Sequence, residues 1–168
     1  MSTKAKQAAV FFLTAGAGVL FDQLTKRIAL AKLELYKPVP LIRGVLEFLR
    51  IENQGAAFGI MQGRMGFFYA ITFIVLAFLL YVLVRLPEDR KYTPLLICMS
   101  FIAAGAVGNL IDRVFRKSVV DFIYFKPIDF PVFNVADIYV TCATFFLMLL
   151  ILRFYDERDF DFLSRKKR

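Results

Sequence analysis

Four blocks of apolar residues dominate the chain, and polar residues collect between them. The blocks run over residues 8–29, 66–86, 94–112 and 135–153. Each approaches the roughly 20 residues that an α-helix needs to cross the hydrocarbon core of a bilayer. The pattern therefore predicts four transmembrane helices, and an even number of spans puts both termini on the same side of the membrane.

Two polar segments, 30–65 and 113–134, separate the first span from the second and the third from the fourth. Residues 39–51 favour β-strands and mix apolar with charged side chains, which suits a small sheet element at the membrane surface. The charged tail after Arg153 predicts a frayed helix end. The expected fold class is a membrane all-α bundle of four transmembrane helices with a small extracytoplasmic β element between helices 1 and 2, in a single domain over 1–168.

The basic residues indicate how the chain is oriented. The formal net charge is +8 and 59% of the residues are hydrophobic. Because Lys and Arg flank the spans and do not alternate with aromatic residues on one surface, they indicate membrane topology and no nucleic-acid partner. They are densest in the short segments 4–6, 85–91 and 165–168, which the positive-inside rule assigns to the cytoplasm. Both termini are predicted to be cytoplasmic, with 30–65 and 113–134 outside.

Histidine is absent from the chain, and only two cysteines occur. Without histidine, the chain cannot build a Ser-His-Asp triad, a Cys-His site or a His-ligated zinc site. Cys98 and Cys142 fall inside predicted spans without CxxC spacing, so they are expected to be small buried apolar residues. We expect no metal and no cofactor.

Polar side chains from separate segments are expected to meet near the outer membrane face. Ionisable groups at or inside membrane spans are costly, which makes each one a candidate for function. Those at the outer span ends are Asp22, Lys26, Asn109, Asp112, Arg113, Asn134 and Asp137, and Asn53 and Asp121 join them from the outer segments. The loop around Asn53 and Gly55 is built of small residues that allow close backbone approach.

Structural explanations compete with functional ones at the first and third spans. Asp22 and Lys26 are four residues apart on one helix face, so an ion pair that shapes the helix end explains both. Arg113 is a permanent cation that serves equally well as a tether for a carboxylate or as a donor to a substrate carbonyl. Asp112 is interpreted as mainly structural.

The fourth span begins with a sequence that has two interpretations. Asn134 followed by Asp137 matches a helix N-cap with an acid in the first turn. Asp137 could also form a carboxylate pair with a second acid, in which the two groups share a proton and activate water without metal or histidine. Spacing alone leaves Asp112, Asp121 and Asp129 open as its partner.

At these residues the sequence closely resembles the lipoprotein signal peptidase family, also called signal peptidase II, of bacterial inner membranes. The resemblance spans nearly the whole chain and rests on five ordered motifs, DQLTK at 22–26, NQGAAF at 53–58, GNLIDR at 108–113, VVDFI at 119–123 and FNVAD at 133–137. The sequence departs from the family where Ile138 replaces the frequent serine after the last aspartate, and where Ala104-Gly105 replaces a Gly-Gly pair.

The resemblance implies that Asp121 and Asp137 are the catalytic pair. It implies that Asn53, Gly55, Asn109, Arg113 and Asn134 line the site, with Asp22, Lys26 and Asp112 in support. The expected reaction is hydrolysis of the peptide bond before a diacylglyceryl-modified cysteine of a prolipoprotein. The implied partners are diacylated prolipoproteins and membrane lipids, and inhibition by globomycin is expected.

Two other functions fit parts of the sequence. A serine-lysine peptidase would need a serine near the outer face, and Ser118 beside Lys117 is the best placed. A small membrane transporter or assembly factor could use the same polar cluster, although transporter sites lie nearer the bilayer midplane.

Overall fold

The computed structural model describes residues 2–55 and 64–164. Its main elements, in chain order, are helix α1 (Thr3–Lys32), strands β1 (Val39–Ile42) and β2 (Leu46–Asn53), helices α2 (Met65–Arg85) and α3 (Thr93–Arg116), strand β3 (Val119–Phe125) and helix α4 (Val135–Arg153). Short 3-10 helices occupy Arg90–Tyr92, Lys126–Ile128 and Glu157–Leu163. Residues 56–58 of the second motif and the basic residues 165–168 lie outside the described parts.

Within the described residues, four helices are long and apolar enough to cross a membrane. They coincide with the four predicted spans, but α1 and α3 are longer than expected because their polar ends continue the helix beyond the apolar block. Large apolar side chains remain exposed along them, including Leu13 at 73% and Val84 at 74%. In a membrane such residues face lipid, since lipid tails are as apolar as leucine.

Helix α3 lies at the centre of the bundle and packs against the other three helices. Small residues allow this close packing. A Cβ added at Gly18 would lie 2.8 Å from the Cβ of Ala104, and one at Gly105 would lie 2.4 Å from the carbonyl oxygen of Ala136. These positions bring α1 and α4 against α3, and α1 and α4 also contact each other there, since the added Cβ at Gly18 would lie 3.5 Å from the Tyr139 ring.

The sheet is larger than the sequence predicted. Its order is β1-β2-β3, and both pairings are antiparallel. Strand β3 comes from the segment between α3 and α4, for which the sequence predicted no strand. Residues far apart along the chain, such as Ile51 and Asp121, thereby become neighbours.

Two smaller expectations were wrong. In the described part of the tail after α4, Glu157–Leu163 form a 3-10 helix and no frayed end. Asp159 forms a salt bridge with Lys91 at 2.6 Å, and its backbone carbonyl accepts a hydrogen bond from the Tyr92 hydroxyl at 2.9 Å. Cys98 is buried as expected, but Cys142 is exposed on the outer surface of α4.

Candidate active site

Asp137 is held in the first turn of α4 by a capping box. The Asn134 side-chain oxygen accepts a hydrogen bond from the backbone N–H of Asp137, and the Asp137 carboxylate accepts one from the backbone N–H of Asn134, both at 3.1 Å. The N-cap interpretation of these two residues is therefore confirmed. Only one Asp137 oxygen is used in the box, so the cap does not exclude a second role for its carboxylate.

Asp121 lies in β3 and is only 2% exposed. Its two carboxylate oxygens accept hydrogen bonds from side-chain amides, one from Asn53 at 3.0 Å and one from Asn134 at 2.6 Å. Asn134 thus bonds both aspartates, through its side chain to Asp121 and through its backbone to Asp137. The structure brings Asp121 and Asp137 together at one residue.

Asn109 of α3 completes the ring of amides. Its side-chain nitrogen donates to the free oxygen of Asp137 at 2.8 Å. Its side-chain oxygen accepts from the Lys26 ammonium at 2.9 Å and from the Asn134 amide at 3.2 Å. The orientation of the Asn109 amide is therefore set, because Lys26 can only donate.

A buried ion network lies beneath this ring. Lys26, Asp22 and Asp112 are each at most 1% exposed, and the Lys26 ammonium lies 2.9 Å from Asp22 and 3.2 Å from Asp112. The predicted pair of Asp22 and Lys26 is confirmed, and Asp112 makes it a triad. A buried cation is tolerable here because two carboxylates and an amide oxygen surround it.

The same triad anchors the backbone beside each candidate aspartate. Asp22 accepts a hydrogen bond from the backbone N–H of Ala136 at 3.0 Å, and Asp112 accepts one from the N–H of Val120 at 3.1 Å. Ala136 precedes Asp137 and Val120 precedes Asp121. Asp22 and Asp112 therefore position the backbone that carries the two aspartates, which agrees with a structural role for Asp112.

Gln23 was missing from the predicted site residues. Its amide donates to the carboxylates of Asp22 and Asp112, each at 3.2 Å, and to the carbonyl oxygen of Gly108 at 3.1 Å. Its position in the sequence could have indicated a role, because Gln23 lies inside the first motif between the predicted site residues Asp22 and Lys26. Gly108 permits this contact, since a Cβ there would lie 2.5 Å from the Asp22 carboxylate.

The remaining predicted residues lie around the ring. The Gly55 backbone N–H donates to the Asn53 side-chain oxygen at 2.9 Å, which turns the Asn53 amide nitrogen toward Asp121. The Arg113 guanidinium lies 4.5 Å from the centre of the Phe68 ring. No ion pair joins Arg113 to a carboxylate in residues 2–55 and 64–164, so the tether interpretation finds no support there.

The pKa of Asp121 is raised from the ordinary 3.8 to about 7. Burial is the main cause, and the negative charge of Asp137 acts in the same direction. The hydrogen bonds from Asn53 and Asn134 and the charge of Lys26 act in the opposite direction. Desolvation prevails because the carboxyl is almost completely removed from solvent. Asp121 therefore holds a proton up to near neutral pH.

A cavity of about 440 Å³ opens onto the two aspartates. Asn53, Asp121 and Asp137 supply its polar wall, and apolar residues form the rest, namely Phe130, Pro131, Val132, Phe133, Ile138 and Cys142, with Thr141 beside them. Its size falls in the range of about 300–1,000 Å³ typical of ligand sites. A pair of acids at the end of an apolar cavity suits hydrolysis of an apolar substrate.

Asp129 and Ser118 take no part in this cavity. Asp129 is exposed and accepts a hydrogen bond from the Tyr124 hydroxyl at 2.7 Å. Ser118 is buried at 4% exposure, and the hydrogen bonds of the described residues include none that joins it to Lys117. In the same parts of the chain, no cluster of three His, Cys, Asp or Glu side chains could hold a metal ion.

Fold and site together define a small multi-pass membrane protein with two amide-bonded carboxylates at one end of its helices, of which Asp121 is buried and Asp137 is half-buried. Residues 14–153 match the family model described as signal peptidase (SPase) II. The chain is 41% identical over 139 residues to the lipoprotein signal peptidase of Brevibacillus brevis, covering 83% of this chain and 92% of that one. It is 38% identical over 145 residues to that of Geobacillus thermodenitrificans, covering 85% and 89%.

Two solved structures are also similar, each described as a bacterial membrane enzyme structure by the in meso method. One, at 2.3 Å resolution, superposes with a TM-score of 0.77 at 32% identity and covers 95% of this chain and 94% of its own. The other, at 1.9 Å, gives 0.76 at 35% identity and covers 88% and 95%. This chain belongs to the signal peptidase II family and is a peptidase, so the resemblance stated from its motifs and the expected fold class are both confirmed.

Proposed function

We propose that the chain is an aspartic endopeptidase that removes signal peptides from diacylglyceryl-modified prolipoproteins by cleaving before the lipidated cysteine. The observation that carries this proposal is the convergence of Asp121 and Asp137 on Asn134, at the wall of one cavity. The lipoprotein part of the substrate rests on the names of the relatives.

The reaction needs one proton shared between the two carboxyl groups. The raised pKa of Asp121 favours the proton on that residue near pH 7. Asp137 accepts hydrogen bonds from the Asn109 amide and the Asn134 backbone, and both stabilise a negative charge. The pair is therefore proposed to hold one proton near pH 7, and its titrations belong to the two carboxyl groups together.

Hydrolysis then proceeds through general acid-base catalysis. The ionised carboxylate takes a proton from water as the water oxygen bonds to the scissile carbonyl carbon, and the protonated carboxyl donates its proton to the carbonyl oxygen. The tetrahedral intermediate collapses when the carbon–nitrogen bond breaks, the departing nitrogen takes the proton that came from water, and a hydroxyl group of the intermediate returns its proton to the other carboxylate as the new carboxylic acid forms. The pair regains its single shared proton. Asn109 and Asn134 hold the carboxylates in place throughout.

The position of the site suits a substrate that never leaves the bilayer. The cavity lies at the start of α4 and is walled largely by apolar residues. A diacylated cysteine could keep its acyl chains in lipid while the peptide bond before it reaches the aspartates. We place the site at the extracytoplasmic face of the bacterial inner membrane, with both termini cytoplasmic, and we expect globomycin-type antibiotics to block it.

The test is cleavage of a diacylated prolipoprotein peptide by the purified protein in detergent, comparing wild type with Asp121→Asn and Asp137→Asn. Each substitution keeps the shape of the side chain but removes the ability to share a proton, so both variants should lose at least about 10²-fold in turnover. Asp129→Asn is the matched control, because Asp129 is an exposed aspartate of the same outer segment. Ser118→Ala should retain wild-type turnover.

Near-normal turnover of either dyad variant, with folding intact, would refute the catalytic assignment. Loss of activity in Ser118→Ala with both dyad variants active would favour the serine-lysine peptidase. Equal cleavage of the lipidated and the unlipidated peptide would leave the peptidase intact but contradict the proposed substrate.

A further inference from the structure

A second, larger concavity lies beside the candidate active-site cavity, between α3 and α4. Its volume is about 760 Å³, and it is lined by Ile97 and Phe101 of α3 and by Tyr139 and Phe146 of α4. The helices are in close contact at Gly105 and Ala136, and the groove lies on the side of that contact toward the start of α3. We refer to it as the α3–α4 groove.

The two ends of the α3–α4 groove differ in chemistry. At one end Ile138 and Cys142 line both the groove and the active-site cavity, so the apolar surface continues from one to the other. At the other end Arg90 forms part of the wall. The groove lining on α4 ends at Leu150, and Arg153, the last residue of α4, lies one turn beyond it on the same helix face as Phe146, since residues seven apart share a face.

Arg90 and Arg153 are exposed, and no ion pair engages either of them within residues 2–55 and 64–164. Lys91, next to Arg90, is different because Asp159 neutralises it. Two uncompensated guanidinium groups at the end of an apolar groove match a phosphate joined to hydrocarbon chains, since arginine binds phosphate in a planar, two-pronged geometry.

We propose that the α3–α4 groove binds one anionic phospholipid from the leaflet opposite the candidate active site. Its acyl chains lie along Ile97, Phe101 and Phe146, and its phosphate lies at Arg90 and Arg153. The volume falls within the range of about 300–1,000 Å³ that suits a small-molecule site. A second copy of the chain would not explain the arginines, which lack any acidic partner within the groove lining.

The absence of tryptophan from the chain allows a clean fluorescence test. Phe146→Trp reports on the groove, and Phe145→Trp is a matched control. The two phenylalanines are adjacent and similarly exposed, at 57% and 52%, but only Phe146 lines the groove. Each full-length variant is reconstituted in phosphatidylcholine vesicles that contain increasing fractions of phosphatidylglycerol with brominated acyl chains, which quench tryptophan on contact. Peptidase activity verifies folding.

The expected result is that Phe146→Trp is half-quenched at a lower fraction of brominated phosphatidylglycerol than Phe145→Trp. Added to Phe146→Trp, Arg90→Gln and Arg153→Gln should each raise that fraction on the order of fivefold, as expected for the loss of one membrane-surface cation. Arg116→Gln should leave it unchanged, because Arg116 is an exposed arginine at the opposite end of α3.

Three results would overturn the proposal. The first is equal quenching of the two tryptophan variants. The second is equal quenching by brominated phosphatidylcholine and phosphatidylglycerol, which would remove the preference for an anionic lipid. The third is displacement of the brominated lipid by a diacylated substrate peptide at its working concentration, which would assign the groove to the substrate.

Discussion

Replacement of Asp121 by asparagine should make the protein more stable at alkaline pH while abolishing its proposed activity. In the folded protein the Asp121 carboxyl holds its proton up to about pH 7, whereas an unfolded chain releases it near 3.8. The folded state therefore binds more protons between these values, and its stability falls as pH rises from about 4 to about 7. Below that window both states are protonated and the effect is absent.

The size of this effect follows from the two pKa values. The difference between 3.8 and about 7 corresponds to about 4 kcal/mol of unfolding free energy lost at pH 8. Asp121→Asn removes the loss because an amide does not ionise. The new NH₂ group would face one of the two amides that now donate to Asp121, which costs about 1 kcal/mol. The net expectation is a gain of about 3 kcal/mol at pH 8 and a loss of about 1 kcal/mol at pH 4.

The measurement is the free energy of unfolding from far-ultraviolet circular dichroism during SDS titration of detergent-solubilised protein at pH 4, 6 and 8. Other groups titrate in this range, so the difference between variant and wild type is the quantity to compare. Asp129→Asn is the control, because Asp129 is exposed and should follow the wild type at every pH. Its backbone is left-handed with φ of 48°, which asparagine tolerates. Parallel pH profiles for Asp121→Asn and wild type would refute the argument.

Three further predictions concern the site and its support. Turnover should fall as pH rises through about 7, the pKa of Asp121. Asn53→Ala should move that fall to higher pH, because loss of the amide donor raises the pKa of Asp121. A pH profile of turnover identical to that of the wild type would contradict this. Lys26→Met should lower the unfolding free energy by about 3–5 kcal/mol, because the substitution leaves the buried carboxylates of Asp22 and Asp112 without their cation. A loss below about 1 kcal/mol in SDS titration would disprove this prediction. Gly105→Ala should cost about 1–3 kcal/mol by pressing against the α4 backbone, whereas Gly16→Ala, with no atom within 4 Å of the new Cβ, should be neutral or stabilising. Equal thermal stabilities of the two alanine variants would contradict the packing argument.

Prediction of the sheet failed where the structure depends on distant partners. No strand was predicted for residues 119–125, because this strand forms by pairing with β2, about 70 residues earlier in the chain. The prediction of a frayed tail failed for the same reason, because Asp159 forms a salt bridge with Lys91 from a distant part of the chain. Cys142 was expected to be buried because it lies in an apolar span, but it is exposed. Apolar character alone does not distinguish a residue that contacts protein from one that contacts lipid.

The candidate site was only partly accessible to sequence reasoning. The spacing of Asp22 and Lys26 predicted their ion pair, and the order of Asn134 and Asp137 predicted the capping box, because both depend on the local geometry of one helix. The choice of Asp121 over Asp112 and Asp129 came from the family resemblance alone. In the structure, Asp112 bonds Lys26 and the β3 backbone, and Asp129 lies in solvent.

By itself, the sequence determined the four spans, since membrane insertion depends on the local hydrophobicity of about 20 residues. It also determined which polar groups stand at the span ends and how the first turn of α4 is capped. Tertiary structure decided the partners of those groups. The close approach of α1, α3 and α4 at Gly18, Gly105 and Gly108 buries the Lys26 triad, and the pairing of β2 with β3 carries Asp121 to Asn134. The raised pKa of Asp121 follows from that assembly, because only packing of distant segments removes a carboxyl group from water.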